Sequence, residues 1–388
     1  MPIRNRFAEL LPEIAEWRRD IHAHPELQFD THRTAGLVAE KLKEFGCDEI
    51  VTGIGKTGVV GIIKGRTNTS GRTVGLRADM DALPIHEATG KPYASKTEGV
   101  MHACGHDGHT AMLLGAAKYL SETRNFDGTV AVIFQPAEEG GGGGREMVND
   151  GMMERFGINE VYGMHNWPGI ATGEFMTRPG PFFAAADLFE IKVKGRGGHA
   201  ARPHVTIDTT VVASHIVLAV QSIASRNVSP VEQVVVTISS FHTDSVAFNV
   251  IAEDVTMRGT VRTHNPEVQD LAEARLKELV TLTAEAHGAT AEVDYQRNYP
   301  VMRNTEEETG FAAKAAAVVA GSCGDAPLVM GGEDFAFMLD VRPGAYMLVG
   351  NGEDSAMIHT ATYDFNDETI PAGCSWFAEI VEQRLPAA

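Results

Sequence analysis

The chain has 388 residues, of which 43% are hydrophobic and 22% charged, and its formal net charge is −19. A chain of this length exceeds one ordinary hydrophobic core, so we expect two domains. The negative charge argues against nucleic acid or an anionic membrane as a partner, because phosphate groups bind basic surfaces.

The sequence predicts a cytoplasmic protein. Its first residues lack the apolar run and cleavage site of a secretory signal, and no stretch approaches the roughly 20 apolar residues of a membrane span. The four cysteines are widely scattered, which disfavours a disulfide framework and favours a reducing compartment.

Two helices are predicted within residues 5–45, with a break that contains His22, His24 and Pro25. The two histidines stand one residue apart and could bind a metal. Alternatively, they belong to a capping and packing loop in which Pro25 fixes a turn.

Acidic and histidine side chains follow four predicted strands. These strands are expected at residues 74–77, 130–134, 161–164 and 346–350. The side chains that follow them are, in chain order, Asp79 and Asp81, Glu138 and Glu139, His165, and His359. Ligand sites in open α/β sheets form at the carboxyl ends of strands, so we expect these groups to converge. For Asp79 and Asp81, a solvated turn is an equal alternative.

Cys104 and His106 stand one residue apart in a loop before a predicted helix. Asp107 is predicted to cap that helix, and the helix dipole is expected to favour a thiolate at Cys104. Thiolate and imidazole are ligands of zinc-type ions, but this pair supplies only two donors.

The middle of the chain changes character at about Ala184. Alternating apolar and polar residues at 188–194 predict a half-exposed strand. The following elements complete the order strand–helix–strand–strand–helix–strand, which is ferredoxin-like. We therefore predict an inserted α+β domain at residues 184–296. It interrupts a mixed-sheet α/β/α domain formed by residues 1–183 and 297–388.

The candidate ligands are Cys104, His106, Glu139, His165 and His359. Five donors exceed what one tetrahedral zinc takes from protein, so we predict two divalent ions that share a bridging ligand. Glu138 then stays free of metal and can act as a general base. This set indicates a metallohydrolase and leaves amide, ester and phosphate substrates open.

Seven stretches together resemble the M20 metallopeptidase and amidohydrolase family. They are residues 24–27, 77–84, 102–107, 135–139, 163–165, 198–203 and 332–335. The resemblance covers nearly the whole chain. It points to the branch of hippurate hydrolases, N-acyl-amino-acid amidohydrolases and auxin-conjugate hydrolases. Many relatives carry histidine at the position of Asp79, and this departure fits the branch in which His106 takes over as a ligand.

The resemblance assigns the five ligands to two divalent metals, with Cys104 in the bridging position. It implies that Glu138 is the catalytic base, which also returns a proton to the leaving amine. His199 resembles a histidine that crosses a dimer to stabilise the oxyanion in the partner's active site. Asn249 resembles a lid asparagine that binds substrate. Zn²⁺ or Mn²⁺ is expected, with Ni²⁺ and Co²⁺ as alternatives.

The implied reaction hydrolyses an N-acyl-amino acid, such as hippurate or another aromatic or aliphatic conjugate, to a carboxylic acid and an amino acid. The motifs also allow an N-acetyl-diaminopimelate deacetylase or a small-peptide metallopeptidase. A non-catalytic metal- or ligand-binding protein is the alternative of another class, but metal binding alone does not need the spare carboxylate of Glu138. The resemblance also implies a homodimer through the inserted domain, or a homotetramer.

Overall fold

The computed structural model describes residues 3–387, and none of the helices within them is long and apolar enough to cross a membrane. The strands are β1 (Glu49–Ile54), β2 (Gly58–Lys64), β3 (Thr73–Asp79), β4 (Thr129–Gln135), β5 (Glu160–Pro168), β6 (Phe175–Thr177), β7 (Gly180–Phe183), β8 (Ala185–Lys194), β9 (Gly198–His199), β10 (Val234–Thr243), β11 (Val250–Ile251), β12 (Asp254–Thr263), β13 (Thr290–Tyr299), β14 (Met302–Asn304), β15 (Gly324–Asp325) and β16 (Gly344–Gly352). The α-helices are α1 (Ile3–Ala23), α2 (His32–Glu44), α3 (His106–Thr123), α4 (Gly143–Asn149), α5 (Met152–Arg155), α6 (Thr209–Ser222), α7 (Pro266–Ala286), α8 (Glu306–Ala320), α9 (Ala336–Val341) and α10 (Ile370–Arg384).

The structure divides into two compact units. The first comprises the chain up to Gly180, Arg303–Pro327, and the residues from Asp334 onward. The second comprises Pro181–Met302 and Leu328–Glu333. The predicted insertion, residues 184–296, lies inside the second unit, but no sequence pattern marked the short segment that joins it later in the chain. The limits drawn for two separate domains stay predictions.

The first unit is built on an eight-stranded mixed sheet with the strand order β1-β2-β4-β3-β5-β16-β6-β15. Its centre is parallel, since β4, β3, β5 and β16 all run in the same direction. β2 lies antiparallel to both β1 and β4. A central strand that is buried on both faces is apolar throughout, which explains the uninterrupted apolar run at 130–134.

Helices cover both faces of this sheet. A Cβ atom on Gly58 would meet Met147 of α4, whereas one on Gly61 would meet Leu42 of α2. Positions three apart in a strand face opposite sides, so α2 and α4 lie on opposite faces. The apolar residues of α1, α2, α3, α8 and α10 form one core cluster that includes Trp376. The predicted mixed α/β class is confirmed.

The second unit contains a four-stranded antiparallel sheet with the order β10-β12-β8-β13. The helices α6 and α7 cover one face of it. Along β8, Phe189, Ile191 and Val193 are buried in the core that the helices share, while Leu188 and Lys192 are exposed. This alternation and the strand order are those of a ferredoxin-like fold. A separate two-stranded ribbon joins β9 to β11.

The strand β5 extends further than predicted. It was expected to end at Met164, but it continues to Pro168 because β16 keeps pairing with it in parallel. His165 lies opposite Leu348 in this ladder. His165 is therefore presented from within a strand and not from the loop that follows it.

Candidate metal centre

A glycine fixes the loop that carries Cys104 and His106. Gly105 has a φ of +90°, a left-handed conformation that favours glycine, and α3 begins directly after it. A Cβ atom at this position would lie 2.0 Å from Asn166 Oδ1 and 2.6 Å from Tyr363 Oη. Asn166 Nδ2 also donates to the carbonyl oxygen of Cys104 at 3.1 Å. A tight, buried backbone therefore holds both candidate donors.

The structure brings the five predicted ligands together. The donor atoms of Cys104, His106 and His165 lie within 4.8 Å of one another, as do those of Cys104, Glu139 and His359. Cys104 Sγ is 3.3 Å from Nε2 of both His165 and His359, and His359 Nε2 is 3.2 Å from Glu139 Oε1. Cys104 belongs to both three-donor sets, which is the arrangement that a bridging ligand requires.

The donor atoms fit divalent cations. Both ring nitrogens of His106 are buried and make no hydrogen bond within residues 3–387, although Nδ1 lies 3.3 Å from Asp81 Oδ1. Buried polar atoms normally have partners, so these atoms indicate a missing ligand. His165 Nδ1 donates to the Asn166 carbonyl oxygen at 2.6 Å, which leaves Nε2 directed at Cys104. Metal-binding histidines are usually oriented in this way.

Asp81 holds Glu138 and Glu139 side by side. Its Oδ1 accepts the backbone N–H of Glu138 at 3.0 Å, and its Oδ2 accepts that of Glu139 at 3.1 Å. Ala137, just before them, has a φ of +54°, a strained conformation for a residue with a Cβ atom. Glu138 is 7% exposed, and its carboxylate forms a further cluster with His106 and Glu139. Glu138 thus lies at the centre without belonging to either ligand set that contains Cys104.

Asp79 and Asp81 are both buried, so the solvated-turn alternative is wrong. Asp79 Oδ2 accepts from Arg77 Nη1 at 2.7 Å and lies 3.8 Å from His106 Nε2. Asp79 Oδ1 accepts from His109 Nδ1 at 2.6 Å. His109 is a residue that sequence reasoning missed. Its spacing of three from His106, which places both on one face of α3, was the available signal.

The charges of the centre shift several pKa values. Burial lowers the pKa of His106, but Asp79 and Asp81 outweigh it and raise that pKa to about 10. Burial, together with the charge of Glu139, raises the pKa of the Cys104 thiol well above its usual value. These effects outweigh the helix dipole, which was predicted to favour a thiolate. A bound cation is therefore what would stabilise the thiolate form.

Asp107 does not cap α3, contrary to the prediction. It lies buried in the first turn, where its Oδ2 is 2.9 Å from Arg18 Nε and accepts from His22 Nδ1 at 2.8 Å. Its carboxylate therefore joins α1 to α3 instead of bonding to its own backbone. His24 Nδ1 donates to the Asp20 carbonyl oxygen at 2.8 Å. His22 lies within α1 and not in the predicted break, and neither it nor His24 joins a metal-competent cluster within residues 3–387.

His199 and Asn249 lie close to each other in the second unit. His199 is opposite Val250 in the ribbon of β9 and β11, and the Ala200 N–H donates to the Asn249 carbonyl oxygen at 3.0 Å. His199 is exposed, and its Nδ1 accepts the backbone N–H of Ala201 at 3.1 Å. Nε2 is therefore the ring nitrogen that can donate a hydrogen bond. The roles of both residues at a substrate stay predictions.

Comparison with known proteins places this centre in a family. The sequence profile described as peptidase family M20/M25/M40 matches residues 75–383. The chain belongs to this family. It is 42% identical to a hippurate hydrolase of Campylobacter jejuni, over 97% of this chain and 98% of that protein. It is 39% identical to the N-acetyl-L-cysteine deacetylase of Bacillus subtilis, over 95% of this chain and 87% of that protein.

A solved structure has the same fold as this chain. The YXEP protein of Bacillus subtilis, described as a dinuclear metal binding peptidase from the M20 family, superposes with a TM-score of 0.85. Its sequence is 33% identical, and the match covers 98% of this chain and all of that protein. The predicted family is confirmed, and the chain is a hydrolase that cleaves amide bonds.

Proposed function

We propose that this M20-family chain is a metal-dependent amidohydrolase that cleaves N-acyl-amino acids to a carboxylic acid and a free amino acid. The observation that carries the proposal is the pair Glu138 and Glu139, adjacent in sequence and both held by Asp81. Glu139 lies in a ligand set with Cys104, and Glu138 lies beside it as a separate buried carboxylate. A protein that only binds metal does not need the second carboxylate.

The five ligand residues suit two ions per chain. When bound there, such ions polarise an amide carbonyl and make water acidic. The mixture of thiolate, imidazole and carboxylate suits Zn²⁺ or Mn²⁺, with Ni²⁺ and Co²⁺ as alternatives.

The chain's own residues supply the proton transfers. Glu138 takes a proton from the attacking water onto its carboxylate and delivers it to the leaving nitrogen. In the second unit, His199 Nε2–H is available to donate to the oxyanion, and Asn249 to bind the substrate. We place these two residues at the active site of a partner subunit in a homodimer, as the family resemblance implies.

The relatives support the substrate class. A hippurate hydrolase and an N-acetyl-L-cysteine deacetylase act on conjugates that differ in acyl group, yet both substrates are acylated amino acids. We therefore place the preference of this chain within N-acyl-amino acids. Hydrolysis rates for hippurate, N-acetyl-amino acids, N-acetyl-diaminopimelate and dipeptides would rank the alternatives.

The variant Glu138→Gln tests the mechanism. It should bind two metal ions per chain and melt near the wild-type temperature, while kcat falls by about 10²–10⁴-fold because a general base is lost. Glu292→Gln, which removes the charge of an exposed glutamate on β13, is the matched control and should keep wild-type kcat. An ordinary kcat for Glu138→Gln would refute the role of Glu138. A wild-type protein that binds metal but hydrolyses none of the four substrate types would favour the non-catalytic alternative.

A further inference from the structure

His109 is buried beside the candidate ligands, and both of its ring nitrogens are engaged. The backbone N–H of Asn166 donates to His109 Nε2 at 2.9 Å. A backbone amide can only donate, so Nε2 is the acceptor of this hydrogen bond. The ring proton is on Nδ1, which donates to Asp79 Oδ1 at 2.6 Å. The hydrogen-bond partners thus determine the tautomer of this histidine.

One side of His109 is joined to a buried ionic network. Asp79, which accepts from His109, also binds Arg77 at 2.7 Å. Arg77 Nη2 donates to Asp334 at 2.9 Å, and Arg77 Nε donates to Gln135 at 2.9 Å. Gln135 is the last residue of β4 and lies three residues before Glu138. The network therefore connects His109 to the strand end that presents the catalytic carboxylate.

The other side of His109 is joined to two candidate ligands through Asn166. The Asn166 side chain donates to the Cys104 carbonyl oxygen, and the backbone carbonyl oxygen of Asn166 accepts from His165 Nδ1. The ring of His109 packs edge-on against His165, with ring centroids 4.6 Å apart. It also packs against His106, with centroids 5.5 Å apart. His109 thus contacts both ligand histidines that α3 and β5 present.

We propose that His109 is a positioning residue that fixes the orientation of His106 and His165, and that it is not itself a metal ligand. The inference rests on the ligand assignment of the proposed function. The competing possibility is real, because donor atoms of Asp79, His106 and His109 also lie within 4.8 Å of one another. The hydrogen bonds decide between them: coordination at Nε2 would break the bond from Asn166, and coordination at Nδ1 would break the bond to Asp79.

The test measures metal binding and the geometry of the bound metal as well as activity. His109→Ala should still bind two Mn²⁺ ions per chain in calorimetric titration, but about 10–100-fold more weakly, as for other residues that orient metal ligands. The visible absorption bands of the Co²⁺-loaded variant should shift relative to wild type. At saturating Mn²⁺, kcat for an N-acyl-amino acid should fall about 10–100-fold, with a smaller change in KM. His109→Gln retains an acceptor for the Asn166 N–H and should recover part of the affinity.

The control is His264→Ala in the second unit. This buried histidine donates through Nε2 to the Val329 carbonyl oxygen at 2.9 Å. Its replacement by alanine should lower the melting temperature, as the replacement of buried His109 should. It should leave Mn²⁺ affinity and the Co²⁺ spectrum unchanged. If His109→Ala does not fold, His109→Gln provides the same measurements.

If the His109 variants bound one Mn²⁺ instead of two, His109 would be a metal ligand. This result would overturn the positioning role of His109 and leave the proposed function standing. Unchanged affinity and spectrum in these variants would also overturn the positioning role. A wild-type chain that binds no divalent ion would refute the proposed function as well, so the two failures are distinguishable.

Discussion

Replacing Gly105 by alanine tests whether the Cys104 loop controls the metal centre. The φ of +90° at this position costs a residue with a Cβ atom about 1–3 kcal/mol. The new Cβ would lie 2.0 Å from Asn166 Oδ1, and ordinary contact needs about 3.4 Å, so a shift of about 1.4 Å is required. The amide of Asn166 cannot simply move aside, because it is hydrogen-bonded to Cys104 and Tyr363. Overpacking of this kind costs a further 1–3 kcal/mol or so.

The shift that this substitution requires is much larger than a metal site tolerates. Metal–ligand distances must hold within about 0.2 Å, so moving Cys104 or His106 by 1 Å breaks a coordination bond. We therefore expect Gly105→Ala to lose about 2–6 kcal/mol of unfolding free energy. We also expect it to bind metal more weakly than the wild type does. Urea denaturation, Mn²⁺ titration and kcat measure the three effects.

Gly36→Ala is the matched control for this experiment. Gly36 lies exposed within α2, with no atom within 4 Å of the added Cβ. Alanine is the better helix former there by up to about 1 kcal/mol, so stability should rise slightly and metal binding should not change. Wild-type stability and metal affinity in Gly105→Ala would show that the loop is not under the constraint described, and would refute the reasoning.

Three further predictions concern the metal, a buried histidine and the subunit arrangement. Chelation should abolish hydrolysis and lower the melting temperature, and excess Mn²⁺ or Zn²⁺ should restore both. A ligand at 100 times its Kd stabilises the folded state by about 2.7 kcal/mol, so a melting temperature that does not respond to metal would contradict this prediction. Burial lowers the pKa of His22, but the charge of Asp107 outweighs burial and raises this pKa to about 9. The ion pair of His22 and Asp107 therefore stabilises the folded protein fully below pH 6.5, and this stabilisation is lost as the pH rises through 9. The difference in unfolding free energy between wild type and His22→Gln, up to about 3 kcal/mol at pH 6, should therefore shrink by pH 9.5. A difference that stays constant with pH would refute the stabilising role of this ion pair. A heterodimer of one His199→Ala and one Glu138→Ala subunit should exceed either mutant homodimer in activity, and equal activity would refute a role of His199 in the partner's site.

The convergence of the five candidate ligands was predictable because each follows from a local pattern. Apolar runs mark the central strands, and parallel neighbours bring the chain segments that follow them to one edge of the sheet. Glu139 and His359 were located in this way. Their backbone conformations were not predictable, and His359, with a φ of +63°, is held in place by a bond from its N–H to the Ala103 carbonyl oxygen.

The residues that were misread or missed depend on distant partners. Asp107 looked like a cap because its position before an apolar helix favours that role, but Arg18 and His22 from α1 bind its carboxylate instead. His109 was missed for the same reason, since its partners Asp79 and Asn166 lie 30 and 57 residues away in sequence. Local spacing contains no information about such pairs, which arise where α3 packs against α1 and against the strands β3 and β5.

The balance of charge favours cations at this centre. The carboxylates of Asp79, Asp81, Glu138 and Glu139 surround His106, and removing carboxylates from water costs several kcal/mol each unless positive charge compensates them. Arg77 compensates only part of this, because it is shared between Asp79 and Asp334. The remaining negative charge raises the pKa of His106 to about 10, so these carboxylates favour a proton on its ring. A divalent cation and that proton compensate the same carboxylates, so binding the metal must release the proton.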